Sequence, residues 1–485
     1  MPVVAAAFGL AALAWGLIAA RRASLLIACG LLVVAAYVLG HQFWNEHVGP
    51  LPLTFDRILL VGVLGIFVWQ IRYGGISLRQ MTGSDWALGA LVLLLCASAA
   101  LSGQPEVTDG MTSKWGRLFA SILLPSVMYV VVRQLPITHR EWIGLLTAFV
   151  ALGVYLAATG VCEVEGIWSF VFPRYISDPS LGIHFGRARG PDLNSVSLGI
   201  YLTACCACAW ILLPEVRRRW QQLAILIALP LMAFGVLLTY TRSTWIGFAA
   251  SGLVIAAIQM PRRWRMPAVT AGVLVGLLLA ITSWSQLMGL KREGSAADAE
   301  HSVDQRASFA YVSWHMFCDH PILGVGFGRF YDRKLPYLSD RSQQIELESI
   351  RGLHHHNTLL SVLTETGLVG LSAFVAVFLA WSLAALRLAT NVAVSPWMRA
   401  QGVLMLALIV NYSCSAVFHD LTLLPSQELL LFVFAALTVN LQQVASWSAA
   451  RPVIISADSI ASLGSTYSRN SERELSPDLN LALNV

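Results

Sequence analysis

The stretch LVGLSAFVAVFLAWSLAAL, residues 368–386, contains no charged side chain and is as long as a helix that crosses the hydrocarbon core of a bilayer. Similar stretches recur along the chain, in which 56% of the residues are hydrophobic and 12% are charged. Soluble domains carry about a quarter charged residues. The sequence therefore predicts an all-α polytopic membrane protein.

Apolar runs of this kind predict thirteen membrane-spanning helices, and twelve is an equally acceptable count because the third and fifth runs are short. In chain order the runs are Val3–Ala20, Leu25–Leu39, Ile58–Ile71, Trp86–Leu101, Leu118–Val132, Trp142–Val161, Ser195–Leu213, Leu223–Tyr240, Trp245–Met260, Pro267–Trp284, Leu368–Leu386, Gly402–Phe418 and Leu429–Val444.

Basic residues predict the orientation of these helices. Arginines cluster in every second connection, beginning with Arg21 and Arg22, and short cytoplasmic loops are enriched in Lys and Arg. The predicted organisation is transmembrane helices over residues 1–284 with outer loops 104–117 and 162–194, a large outer loop with short helices over 285–357, further transmembrane helices over 358–446, and a disordered cytoplasmic tail over 447–485.

The large outer loop contains an amphipathic segment and a glycine-rich segment. Phe309, Val312 and Met316 recur at helical spacing, which predicts a helix with one apolar face that ends before Pro321. The following PILGVGFGRFYD has three glycines, but no strand–turn–helix pattern surrounds them. We interpret it as a tight turn rather than a phosphate cradle.

Three histidines, His354–His356, stand before Asn357, a residue favoured as a helix N-cap. A helix is predicted to start there, with His356 at its N-terminus, where the macrodipole lowers an imidazole pKa and attracts phosphate oxygens. A neutral histidine beside an anion site suits a general base. Solvated loop residues or capping donors are the alternative interpretation. A zinc site is disfavoured because consecutive histidines alternate in direction.

Arginines are predicted to lie on the same outer face. TYTRSTWIG places Arg242 in a turn between two spans, and HFGRARGPDLNSVSLG places Arg187 and Arg189 just before another span. A guanidinium matches a phosphate with two parallel donors. Snorkelling at the interface, or a pair with Asp192, is the alternative for any one of them. The shared face favours a common anionic ligand.

With these residues in place, the chain resembles the O-antigen ligase and O-antigen polymerase superfamily, which includes bacterial protein O-oligosaccharyltransferases. The family signature is His followed by Asn, Ser or Gln, nine residues, and G-x-x-G. Here it is formed by His356, Asn357, Gly367 and Gly370. TYTRSTWIG, GRARGPDLNS and DHPILGVGFGRF also look like family stretches in family order, so that the resemblance covers roughly residues 187–386.

The resemblance implies a multi-pass protein of the bacterial inner membrane whose active site faces the periplasm. It implies an inverting glycosyltransferase that moves a glycan from a polyprenyl (undecaprenyl) diphosphate to an acceptor hydroxyl, without metal, cofactor or nucleic acid. Carried over by position, His356 is the base, Arg242 with Arg187 or Arg189 binds the diphosphate, and His355, Asn357, Gly367 and Gly370 support the motif.

Several alternatives stay open at the level of sequence. The acceptor is lipid A–core for a ligase (the first choice), a growing glycan for a polymerase, or a protein for an oligosaccharyltransferase. A transporter of lipid-linked sugars is a less favoured class, because such proteins place ionisable groups at mid-membrane. The active histidine among His354–His356 and the roles of Asp192 and Asn194 are open, and Glu365 is interpreted as a helix-surface or acceptor-side residue.

Overall fold

A computed structural model describes residues 24–48, 51–104, 113–261, 263, 265–267, 270, 296–340 and 345–450. One compact unit, Met1–Gln442, contains everything discussed below. A second unit, Gln443–Val485, contributes to the described residues only the final stretch of the last helix.

Helices dominate the described residues. They are α1 (Leu25–Val38), α2 (Phe55–Arg72), α3 (Gly83–Leu101), α4 (Lys114–Gln134, with a π-helical turn at Phe119–Leu123), α5 (His139–Val164), α6 (Ser195–Leu212), α7 (Arg219–Leu238), α8 (Arg242–Gln259), α9 (Ala296–Asp319), the short α10 (Phe330–Arg333), α11 (Thr358–Thr390), α12 (Pro396–Ala416) and α13 (Pro425–Ala450).

Short elements complete the described fold. The strands β1 (Glu46–Val48) and β2 (Leu51–Leu53) form an antiparallel hairpin in which Glu46 pairs with Leu53. Single 3-10 turns lie at Trp168–Phe170, Arg174–Ser177, Leu335–Ser339, Leu347–Ile350 and Leu421–Leu423.

Local chemistry explains where several helices begin. Thr138 and Glu141 form a capping box at α5, in which each side chain bonds the backbone N–H of the other. Asn194 caps α6 and Asn357 caps α11 through their side-chain oxygens. Pro396 occupies the first position of α12, where its missing N–H is not needed.

Seven described helices are long and apolar enough to cross a membrane: α3, α4, α5, α6, α7, α11 and residues 425–447 of α13. The chain is therefore an all-α polytopic membrane protein, as predicted. Two of the thirteen predicted runs, Val3–Ala20 and most of Pro267–Trp284, lie outside the described residues, and the others coincide with helices. The count of twelve or thirteen spans stays a prediction.

Helix α6 lies at the centre of the bundle, and all but one of its residues are buried. It packs against α5, α7, α8 and α12. Small residues make this possible: a Cβ on Gly199 would stand 2.6 Å from the Thr244 side chain, and one on Gly153 would stand 2.5 Å from Cys205 Cβ. Small side chains let helix backbones approach closely inside a membrane.

The described residues 296–340 and 345–357 form a layer at the end of the bundle where α6, α8, α11 and α13 begin, which we call the 296–357 layer. Helix α9 has the predicted apolar face. Phe309, Val312 and Met316 are buried in one cluster with Phe330 and Leu338. The helix ends at Asp319, two residues before Pro321. Its apolar face is therefore the core of this layer.

Candidate active site

Hydrogen bonds join the start of α11 to the connection between α12 and α13. The Asn357 side chain accepts from Leu360 N–H at 3.0 Å and donates to the Val417 carbonyl at 2.8 Å. Thr358 Oγ1 donates to the His419 carbonyl at 2.8 Å and accepts from Leu421 N–H at 2.9 Å. The predicted N-cap is confirmed, and it also fixes His419 beside the start of α11.

The three successive histidines point to different surroundings. His354 lies beside the Tyr331 ring, with 5.1 Å between centroids. His355 is buried and stacks on Phe330 at 3.4 Å, and neither of its ring nitrogens has a hydrogen-bond partner among the described residues. His356 is exposed and meets Phe309 edge-on at 5.0 Å. Only His356 combines exposure with a place directly before the helix cap.

His356 has two other histidines as electrostatic neighbours. A positive charge on the protonated His356 ring lowers the pKa of both His184 and His419. Burial and the nearby charges place the pKa of His184 at about 4 and that of His419 at about 3. The pKa of His356 is also lowered, chiefly because surrounding protein withholds water from part of the ring, and further by Arg306. All three imidazoles are therefore neutral at pH 7.

Backbone contacts at a break in α11 explain the G-x-x-G part of the motif. Gly367 has φ 63° and ψ −162°, which interrupts the helix. The glycine-rich segment inserts against this break: Val325 N–H donates to the Thr364 carbonyl at 3.0 Å, and Leu368 N–H donates to the Pro321 carbonyl at 2.9 Å. A Cβ on Gly367 would stand 2.3 Å from the Ile322 carbonyl oxygen.

Gly324 serves the same contact from the glycine-rich segment, whereas Gly370 faces the Thr366 side chain of its own helix. A Cβ on Gly324 would stand 2.4 Å from the Glu365 backbone, and one on Gly370 would stand 1.8 Å from Thr366 Oγ1. Only residues without a side chain allow two backbones to approach this closely. The segment from Pro321 onward is therefore a packing turn, as the sequence interpretation has it.

A buried ion pair links α4 to α11 across 248 positions of sequence. Arg117 Nη1 lies 2.9 Å from Glu365 Oε1, and Arg117 Nη2 donates to Thr422 Oγ1 at 2.6 Å. Asp420 Oδ2 lies 3.7 Å from the same guanidinium. The interpretation of Glu365 as a helix-surface residue is wrong, because its carboxylate is buried and paired with Arg117. An acceptor-side role for Glu365 stays a prediction.

Arg189 is fully buried and engaged within the protein. Its Nε donates to Glu163 at 3.0 Å, and its terminal nitrogens donate to the carbonyls of Leu181, Ile176 and Asp178 at 2.6, 2.7 and 3.0 Å. Its own N–H and that of Gly190 also donate to the Glu163 carboxylate. In this arrangement Arg189 shapes the loop before α6, and a diphosphate would have to displace carbonyl acceptors to reach it.

Arg187 and Arg242 lie on two segments that are bonded to each other. Ala188 N–H donates to the Leu238 carbonyl at 3.0 Å, which joins the loop of Arg187 to the turn before Arg242. Arg242 is the first residue of α8, and both side chains are half-buried. Next to Arg242, Ser243 Oγ lies 3.0 Å from His419 Nε2. The structure thus brings the arginine segments and the histidines to one end of the bundle.

Asp192 and Asn194 hold the loop in place. Asn194 caps α6, while the half-buried Asp192 accepts from Ser197 Oγ at 2.5 Å and from Ser426 Oγ at 2.6 Å. Both residues therefore anchor α6, and Asp192 also binds it to the start of α13.

Sequence reasoning missed His184, His419 and Arg117. His419 lies sixty-three residues after His356, and no local pattern marks it. For Glu163 and Glu365 the sequence could have predicted a buried ion pair, since a carboxylate within an apolar helix requires a partner. Among the described residues, no cluster of three or more His, Cys, Asp or Glu side chains has the geometry of a metal site.

The site thus belongs to a polytopic helical membrane protein that gathers a histidine, arginine-bearing loops and a broken helix at one end. Comparison with known families agrees with this class: residues 227–375 match the family model described as O-antigen ligase. The match includes Arg242, His354–His356, Gly367 and Gly370, and it confirms the resemblance to the O-antigen ligase superfamily over that part of the chain. A search of curated proteins finds no match.

Proposed function

We propose that this protein is a glycosyltransferase that moves a glycan from a polyprenyl diphosphate to an acceptor hydroxyl at the periplasmic face of the bacterial inner membrane. Lipid A–core is the first-choice acceptor, as for an O-antigen ligase. A growing glycan or a protein hydroxyl is the alternative. The observation that carries the proposal is His356, exposed and neutral beside an N-cap, among segments that bear Arg187 and Arg242.

The reaction requires two kinds of side chain. An attacking hydroxyl loses its proton, and a neutral imidazole with a lowered pKa accepts it. The departing diphosphate gains negative charge, which a guanidinium in a site of low dielectric constant stabilises. His356 supplies the first and Arg242 with Arg187 the second. Attack opposite the leaving group inverts the configuration at the sugar carbon.

His355 has a different role in this proposal. It is buried on Phe330 and away from solvent, so we assign it to the core of the 296–357 layer. Asn357, Gly367 and Gly370 are assigned to holding the two segments of α11 in place. Arg189 is assigned a structural role, because its ion pair with Glu163 holds the loop before α6. We assign Arg187 as the second diphosphate contact.

The test is glycan transfer by the purified full-length protein in detergent. A polyprenyl-diphosphate oligosaccharide is offered with lipid A–core, a second donor molecule, or a serine-containing peptide, each with and without EDTA. His356→Ala and Arg242→Ala should reduce transfer by about 10²–10⁴-fold. The matched controls are His320→Ala and Arg351→Ala, which alter exposed residues of the same layer and should retain activity.

The outcomes separate the parts of the proposal. The labelled acceptor identifies ligase, polymerase or protein transferase, and loss of transfer with EDTA would contradict a metal-independent reaction. Transfer by His356→Ala at the wild-type rate would remove His356 from catalysis. It would leave the histidines as residues that only border a helix cap.

A further inference from the structure

His184 occupies a left-handed backbone conformation. Its φ is 63°, in the left-handed region that non-glycine residues rarely adopt. Two hydrogen bonds hold the turn: Ile183 N–H donates to the Leu193 carbonyl at 3.1 Å, and Arg187 N–H donates to the His184 carbonyl at 3.2 Å. Such conformations persist where the surrounding structure enforces them. The fold thus fixes the position of this ring.

A chain of three side-chain hydrogen bonds leads from His184 to the turn before Arg242. His184 Nδ1 lies 2.8 Å from Ser195 Oγ. Ser195 Oγ lies 3.1 Å from Thr241 Oγ1, and Thr241 Oγ1 donates to the Thr239 carbonyl at 3.0 Å. Ser195 and Thr241 are both buried.

Proton counting along this chain determines the tautomer of His184. A carbonyl only accepts, so the single hydroxyl proton of Thr241 points to Thr239. Thr241 Oγ1 must then accept from Ser195, and this bond uses the single hydroxyl hydrogen of Ser195. Ser195 Oγ in turn accepts from His184, so Nδ1 carries the hydrogen. Nε2 is left with its lone pair, and the bond from Nδ1 to Ser195 is the one ring hydrogen bond of His184 seen among the described residues.

The surroundings keep this lone pair in place. Burial, together with the positive charges of Arg187 and Arg189, lowers the pKa of His184 to about 4, so the ring is neutral at pH 7. The same loop is bonded through Ala188 to Leu238, at the turn before Arg242. A neutral acceptor therefore stands beside the segments assigned to the diphosphate.

We propose that His184 Nε2 accepts a hydrogen bond from a hydroxyl of the first sugar of the donor, the sugar bonded to the diphosphate. The inference rests on the proposed function. A lone pair repels phosphate oxygens, which are themselves acceptors, so it requires a ligand group that donates. The hydroxyls nearest a diphosphate held by Arg187 and Arg242 are those of the first sugar. His184 is thus a residue that selects the donor substrate.

His184→Asn is the diagnostic variant. The Asn amide can still donate to Ser195 from the position of Nδ1, but it has no group at the position of Nε2. Asparagine also tolerates a left-handed φ better than most residues do, so the turn is preserved. His320→Asn is the matched control, because His320 is exposed at the end of α9.

The experiment uses synthetic polyprenyl-diphosphate glucose and its 2-, 3-, 4- and 6-deoxy counterparts with the full-length protein. Binding of each probe and transfer from each probe are both measured. We expect His184→Asn to weaken binding of the glucose probe and to lower its kcat/KM by about tenfold. One deoxy probe should bind wild type and variant equally, because it lacks the hydroxyl that His184 accepts. The KM for the acceptor should not change.

Ser195→Ala supplies an independent variant, since it frees the tautomer of His184 without touching the sugar. It should reduce the preference for the glucose probe over the same deoxy probe. An equal loss on all five probes in His184→Asn, or no loss, overturns the inference. Binding that shows the expected pattern without any transfer supports the inference and contradicts the proposed glycosyl transfer. If the wild type binds none of the probes, the inference fails together with the diphosphate assignment.

Discussion

Replacing Gly367 by alanine tests whether the break in α11 holds the site together. The residue has φ 63°, and a Cβ there would stand 2.3 Å from the carbonyl oxygen and 2.4 Å from the carbonyl carbon of Ile322. Real Cβ atoms keep at least 3.0 Å from such atoms, so the segment that begins at Pro321 must move by about 0.7 Å. Both atoms belong to the backbone, which no side-chain rotation can clear.

The cost follows from the conformation and from the bonds at risk. An alanine in this backbone region costs about 1–3 kcal/mol. Moving the segment weakens four backbone hydrogen bonds across the break, those from Val325, Gly326, Leu368 and Val369, each contributing about 1 kcal/mol. We therefore expect Gly367→Ala to lower the free energy of unfolding by roughly 3–7 kcal/mol.

The measurement is thermal unfolding in detergent together with glycan transfer at low temperature. Gly352→Ala is the matched control, because Gly352 is exposed, its φ is not positive, and a Cβ there meets nothing within 4 Å. We expect Gly352→Ala to unfold within about 0.5 kcal/mol of wild type. If Gly367→Ala unfolds like Gly352→Ala, the break does not depend on glycine and the reasoning about the G-x-x-G motif is refuted.

Three further predictions concern charges. Because the pKa of His356 is lowered and its neutral form is the base, the midpoint of the acid limb of the transfer rate should lie below about pH 6.5; an acid limb centred above pH 6.5 contradicts the assignment. Arg189→Met should leave the buried Glu163 carboxylate without its ion-pair partner and lower the free energy of unfolding by about 3–5 kcal/mol. The measurement compares its unfolding midpoint with that of Arg351→Ala. Arg117→Met should destabilise the protein similarly by stranding Glu365, and Arg117→Met/Glu365→Leu should recover part of that loss.

The helices were predictable because each depends on local sequence. Apolar runs set the spans, Asn357 marks the start of α11, and the spacing of Phe309 and Val312 gives the buried face of α9. These signals arise from residues within a few turns of one another. Hydrophobic periodicity and capping chemistry are sufficient to read them.

The contacts of the site were not predictable in the same way. Arg117 and Glu365 meet only because α4 and α11 pack together, and a lone carboxylate in an apolar helix shows that a partner exists without naming it. Arg189 and Glu163 are the second example: sequence assigned the arginine to a ligand, while the fold supplies an internal acceptor. Pairing across packed helices is a property of the tertiary structure.

The structural role of Arg189 also follows from tertiary contacts. A guanidinium whose donors meet internal acceptors stabilises a loop. Arg189 is of this kind, since Glu163 and three carbonyls surround it. By holding the loop, it fixes where Arg187 and His184 stand. If the proposed function holds, the Arg189–Glu163 pair acts on donor binding by fixing this loop, and Arg189→Met is therefore expected to weaken donor binding as well as stability.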